Sequence, residues 1–95
     1  MNKFKLLKNA VLINDKTVSR IWKSDNGWFW FATERVQDQI SIINGKEYPD
    51  TIWYGLVQGF EDEWGDFSEA ELKLLYPKVQ VNTSGIIFSV KQQVD

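Results

Sequence analysis

The residues best equipped for chemistry are Glu61, Asp62, Glu63 and Asp66, gathered around Trp64. Clustered carboxylates can hold a hard divalent cation, or share a proton at raised pKa. Calcium loops alternate their ligands and place glycine at set positions, and Gly59 to Asp66 follows neither rule. Consecutive carboxylates in a tight segment rarely converge on one ion. The ordinary reading is a solvated acidic turn. The sharper one is an acidic edge that docks a basic partner, with Trp64 as its anchor, because tryptophan is enriched at the centres of interfaces. Trp28, Trp30, Trp53 and Tyr54 are expected mostly in the core. Trp64, set among carboxylates and glycine, is the ring expected outside. Glu34, at the end of an aromatic run, either pairs with the basic N-terminal segment or extends the acidic surface.

Composition removes several chemistries. The chain has no cysteine and no histidine. Disulfides, cysteine-ligated metals and histidine-assisted nucleophiles are therefore excluded for this chain. What stays open is a carboxylate-dependent hydrolase using magnesium or manganese, and binding without catalysis. The net charge of −2 is unevenly placed. Residues 1–24 carry a net +5 and residues 25–95 a net −7. Such an asymmetry either cancels across the fold or steers a charged partner. Lys3, Lys5 and Lys8 could meet phosphate while tryptophans stack on bases, which makes nucleic-acid binding the alternative function. The charges near the rings are mostly acidic, which disfavours it. The apolar run Ala10–Ile13 is too short for a secretory signal, and no apolar run is long enough to span a bilayer. The expectation is a cytoplasmic protein without a membrane partner or cofactor. Asn82-Thr83-Ser84 fits the glycosylation pattern by chance.

Ninety-five residues correspond to one domain, and an aromatic content of 15% supplies the apolar area that so small a core needs. Ala10 to Ile13 is a short apolar run closed by Asn14-Asp15, a turn signal. Thr17–Lys23 alternates with period two and reads as a strand, followed by a turn at Ser24–Gly27. Trp28–Arg35 is the clearest strand. Trp28, Trp30, Ala32 and Glu34 are assigned to one face, and Phe29, Phe31, Thr33 and Arg35 to the other. Asn44-Gly45 predicts a type I′ hairpin through Ile42 to Glu47, with Pro49 cutting its second arm short. Thr51–Val57 is a further strand, and Gly55 is expected to make room for a neighbouring ring. Ser68 caps a helix whose capping box is completed by Glu71, with Phe67 and Leu72 as a hydrophobic staple. Leu72, Leu75 and Tyr76 are its predicted buried stripe and Pro77 its stop. Ile86–Val90 reads as a last strand. The sum is an α+β domain over 1–95, an antiparallel sheet of about five strands with one helix near the C-terminus. An uncapped sheet edge leaves homo-oligomerisation open.

Three segments carry a resemblance. Trp28-Phe29-Trp30-Phe31-Ala32-Thr33-Glu34, Tyr54-Gly55-Leu56-Val57-Gln58-Gly59 and Glu63-Trp64-Gly65-Asp66-Phe67-Ser68-Glu69-Ala70-Glu71-Leu72 resemble a family of short uncharacterised bacterial proteins encoded on plasmids, integrative elements and phage. The resemblance covers residues 28–72. Trp64 stands where that family usually has leucine and Asp66 where it usually has tyrosine. The segment Val36–Pro49 is longer than in the family. The resemblance implies a mobile-element setting and no activity. The residues themselves favour a non-catalytic interaction module whose surface is Glu34, Glu61, Asp62, Glu63, Trp64 and Asp66, facing a protein partner with a basic surface.

Overall fold

The computed structural model describes residues 2–7 and 10–75. The expectations placed on Lys8, Tyr76, Pro77, the Asn82 triplet and Ile86–Val90 lie outside the described residues. In chain order the elements are β1 (Phe4–Leu7), β2 (Ala10–Ile13), β3 (Lys16–Thr17), β4 (Arg20–Lys23), β5 (Phe29–Ile43), β6 (Lys46–Gln58), β7 (Asp62–Ser68) and α1 (Glu69–Leu75). They form two antiparallel sheets, ordered β1-β2-β3 and β4-β5-β6-β7. The α+β class holds, but seven described strands in two sheets replace the expected five or so in one.

The difference has a local cause. Thr17–Lys23, one period-two run in the sequence, serves both sheets. The Val18 N–H donates to the Val11 carbonyl (2.9 Å) in the first sheet. The Ser19 N–H donates to the Ala32 carbonyl (2.7 Å) in the second, and β4 resumes at Arg20. The tight turn before β3 is as anticipated: Asn14 and Asp15 both take positive φ (52° and 67°), which their short polar side chains tolerate.

Both faces of the four-stranded sheet are covered. On one, Ile21, Phe29, Phe31 and Leu56 meet Val11 and Ile13 of the smaller sheet. Phe4 stands edge-on to Phe31 there at 5.4 Å. On the other, Trp22, Trp30, Ala32 and Trp53 meet Leu72 of α1. A strand buried on both faces must be apolar on both, and β5 begins so. Each side chain fully buried here, such as Phe31 or Leu56, contributes roughly 1.5–3 kcal/mol relative to exposure.

Beyond Ala32 the β5–β6 hairpin leaves this core. Bulges at Thr33 and Val36 interrupt the pairing. The first inverts the phase. Ala32 pairs with Gly55 on the helix-covered face, whereas Glu34 pairs with Tyr54 and so moves to the opposite face from the one alternation assigns it. From Gln37 to Asp50 the two strands continue as an arm, closed by the expected turn at Asn44 and Gly45 (φ 53° and 78°) with Ile43 opposite Lys46. Pro49 does not end β6. Counting from the two-residue turn, Ile43–Lys46 is a hydrogen-bonded pair and Ile40–Pro49 a non-bonded one. The N–H that proline lacks would point away from β5. No described strand lies there, because β7 pairs with β6 only as far as Ile52–Ser68.

Gly55 is also explained differently from expectation. A Cβ at this position would lie 1.7 Å from the Phe31 carbonyl oxygen, so the neighbouring backbone, not a ring, needs the space. Ser68 caps α1 as anticipated, its Oγ accepting from the Glu71 N–H (3.1 Å). Phe67 and Leu72 both pack in the Trp22 cluster. Leu75 is exposed, because α1 presents Ala70 and Leu72 to the protein.

Candidate functional site

The acidic segment is not a turn. Asp62–Ser68 is an edge strand paired with β6 from Gln58–Asp62 to Ile52–Ser68. Strand alternation therefore divides the expected surface between two faces. Asp62, Trp64 and Asp66 fall on the face of Leu56 and Tyr54. Glu63 falls on the face of Val57. Glu34 and Asp66 flank Tyr54 in one row across three strands. Among the described residues no lysine or arginine forms an ion pair with Glu34. Asp62 accepts from Gln58 Nε2 (3.3 Å). Among the described residues no three carboxylates are grouped to hold a metal ion.

Trp64 is half-buried and held internally. It packs against the core of Phe31 and Leu56 and stacks on Tyr54 at 5.9 Å. Its Nε1 donates to Asn2 Oδ1 (2.9 Å), and that oxygen also accepts from Asn14 Nδ2 (3.1 Å). Lys16 Nζ lies 5.3 Å from the Trp64 ring and 5.8 Å from Tyr54, over their π faces. The indole thus ties the N-terminal sheet to the edge strand. The expectation of an outward anchor at Trp64 is corrected, and the reason is that the smaller sheet covers this face of β7.

The exposed ring is Phe60, at the tip of the β6–β7 turn. It is 95% exposed and stands perpendicular to Trp28 at 5.3 Å. Trp28 in turn lies against Trp30 at 5.9 Å. Gly59 makes the arrangement possible: a Cβ there would lie 2.4 Å from the Trp28 ring, so only glycine lets the indole rest on the backbone. Trp28, Val57, Gly59, Phe60, Glu61 and Glu63 line a notch of about 310 Å³. Two carboxylates of the expected set, Glu61 and Glu63, are therefore brought together with two rings that the sequence reading did not place there. The signal that could have found them is Gly59, whose missing side chain leaves the seat for a ring.

A second polar centre was invisible in the sequence. Asp50 is buried at the root of the arm. Its Oδ2 accepts from Ser41 Oγ (2.7 Å) and from Ser68 Oγ, and its Oδ1 accepts from the Ala70 N–H (2.8 Å). Burial pushes this carboxyl up. The hydrogen bonds from Ser68, Ala70, Ser41 and the Thr51 N–H outweigh it and hold the group below the ordinary carboxylate value. A carboxylate so saturated with donors is a helix cap, not a proton carrier. Beside it opens a cleft of about 660 Å³ between arm and helix, lined by Arg35, Asp38, Thr51, Glu69 and Lys73 among others. Its charges are matched internally. Arg35 grips Asp38 through both oxygens (2.6 Å each). The hydrogen bond to Asp38 raises the Arg35 pKa, and those from Arg35 and Thr51 lower that of Asp38. Glu69 meets Arg20 (3.5 Å), Lys73 (3.4 Å) and Trp53 Nε1 (3.2 Å).

Among the described residues no helix is long and apolar enough to cross a membrane. No protein-family model, no curated protein and no solved structure matches the chain.

Proposed function

We propose that this chain is a cytoplasmic, non-catalytic interaction module that receives a cationic side chain of a basic protein partner in the notch of Trp28, Phe60, Glu61 and Glu63. The observation that carries this reading is the 95% exposure of Phe60 beside Trp28 and two carboxylates. A turn tip has no folding need for phenylalanine. Rings and carboxylates around one recess are what a lysine or arginine side chain requires, the rings for its stem and π contact, the carboxylates for its charge. The surface inferred from sequence is thereby narrowed: Glu61 and Glu63 belong to it, while Asp62, Trp64, Asp66 and Glu34 stand on the other face. The mobile-element setting implied by residues 28–72 belongs to this reading as its context.

The test is affinity capture from the native cell with the tagged wild type beside Phe60→Ser and the double reversal Glu61→Lys/Glu63→Lys. Captured partners are then titrated individually against each protein at rising salt. The reading expects loss of the same partner from both variants, and salt-sensitive binding by the wild type. A partner set unchanged in both variants would refute it. Binding of oligonucleotides abolished by Lys3 and Lys5 substitutions would replace it with the nucleic-acid alternative.

A further inference from the structure

The arm has two edges, and they differ. Counting from the Asn44-Gly45 turn, the residues whose backbone groups point outward are Asp38, Ile40 and Ile42 on β5, and Glu47, Pro49 and Thr51 on β6. The β6 edge carries a proline at its centre, and a proline there removes a donor and blocks strand addition. The β5 edge carries no proline, no lysine and, from Gln37 to Ile43, no bulge. Among the described residues β4 covers β5 only as far as Ala32. Ile40 and Ile42, on one face of this edge, are 61% and 73% exposed. An edge of this kind is a template for another strand.

We infer that the β5 edge pairs with the β5 edge of a second copy of this chain, antiparallel, about a two-fold axis at Ile40. The register follows from self-complementarity. With Ile40 opposite its symmetry mate, Asp38 falls opposite Ile42 of the second copy. Every outward-pointing residue then meets another outward-pointing residue, as an antiparallel ladder demands. The four exposed isoleucines of the two arms form one continuous patch. No like charges face each other. An axis at Asp38 would oppose two carboxylates, and an axis at Ile42 would run the ladder into the turn. The contact is one strand wide and lies at the small end of specific interfaces, so association in the micromolar range is expected.

The test uses the full chain, which contains no cysteine. Sedimentation velocity from about 1 to 500 µM should show a reversible monomer–dimer equilibrium for the wild type. Ile40→Lys, which places two ammonium groups on the axis, should weaken it at least tenfold with an unchanged circular dichroism spectrum. Independently, Ile40→Cys should cross-link readily under mild oxidation, because facing residues of a bonded antiparallel pair have Cα atoms about 5.5 Å apart, within disulfide range. Ile42→Cys should not, because its mate lies several residues along the partner strand. A wild type that stays monomeric throughout, a dimer that survives Ile40→Lys, or equal cross-linking through positions 40 and 42 would each overturn the inference.

Discussion

Asp50→Ala isolates the interaction that joins the arm to the helix. Asp50 is buried, and its two oxygens take the Ser41 and Ser68 hydroxyls and the Ala70 N–H. Loss of an N-cap acceptor alone costs about 1 kcal/mol. Here the truncation also strands two hydroxyl donors in a part-buried site, where an unmet donor costs about 1–3 kcal/mol less whatever water recovers. We expect roughly 2–4 kcal/mol in all. At about 4–8 °C per kcal/mol for a domain of this size, that is a fall in Tm of roughly 8–32 °C. Ser68→Ala, which loses the Glu71 N–H bond and one donor to Asp50, should cost about 1 kcal/mol. Urea denaturation followed by tryptophan fluorescence measures both. The pH dependence supplies an internal check. The folded-state pKa of Asp50 is lowered from 3.8. Its stabilisation is therefore complete above that value and is lost as pH falls through the depressed one. The stability gap between wild type and Asp50→Asn should be flat from pH 8 to about 5 and begin to narrow below about pH 4. An Asp50→Ala cost smaller than that of Ser68→Ala, or a gap that does not begin to narrow as pH falls below about 4 in a protein still folded, would refute the assignment of Asp50 as the cap.

Three further substitutions test other contacts. Gly55→Ala puts a methyl group into the Phe31 carbonyl in the middle of the sheet. Neither strand can give without breaking pairs on both sides, so a loss above about 4 kcal/mol is expected, read as failure to recover folded soluble protein. Gly59→Ala collides with the Trp28 ring, not with backbone. The ring can swing out, so the cost should be about 1–3 kcal/mol, with a shift in tryptophan emission and loss of the notch. Trp64→Phe keeps the stack on Tyr54 but removes the bond to Asn2. About 1 kcal/mol is expected, with faster hydrogen exchange in β1. Unchanged exchange there would show that the indole does not hold the N-terminal sheet.

Local chemistry was legible where it was self-sufficient. Asn14-Asp15 and Asn44-Gly45 specify their turns because those residues accept the left-handed backbone unaided. Ser68 and Glu71 specify a cap because both partners lie within one turn. The start of β5 could be read as buried on both faces because its sequence is apolar on both. What failed depended on neighbours. Pro49 looked like a stop, but its missing N–H matters only on a side where another strand lies. Glu61, Asp62, Glu63 and Asp66 looked like a solvated turn because acidic residues and glycine disfavour strands, and a single buried strand face could not take both Trp64 and Phe67. With a layer on each face of the sheet, two rings of opposite parity can both be covered. Glu34 was assigned the wrong face because a bulge leaves no mark in the pattern. Asp50 had no readable role, since Ser41, Ser68 and Ala70 reach it only after folding.

That reach across the chain bears on the order in which the molecule assembles. The seven described residues of this helix are far fewer than hold themselves together in water. The carboxylate that completes its first turn arrives from β6, and β6 occupies its place only once the long hairpin has zipped. The helix should thus be a late arrival, absent from the rate-limiting barrier. Weakening it, by Leu72→Ala for instance, should accelerate unfolding and leave the refolding rate almost untouched. The speed of folding would instead be governed by closure of the hairpin at its Asn44-Gly45 tip.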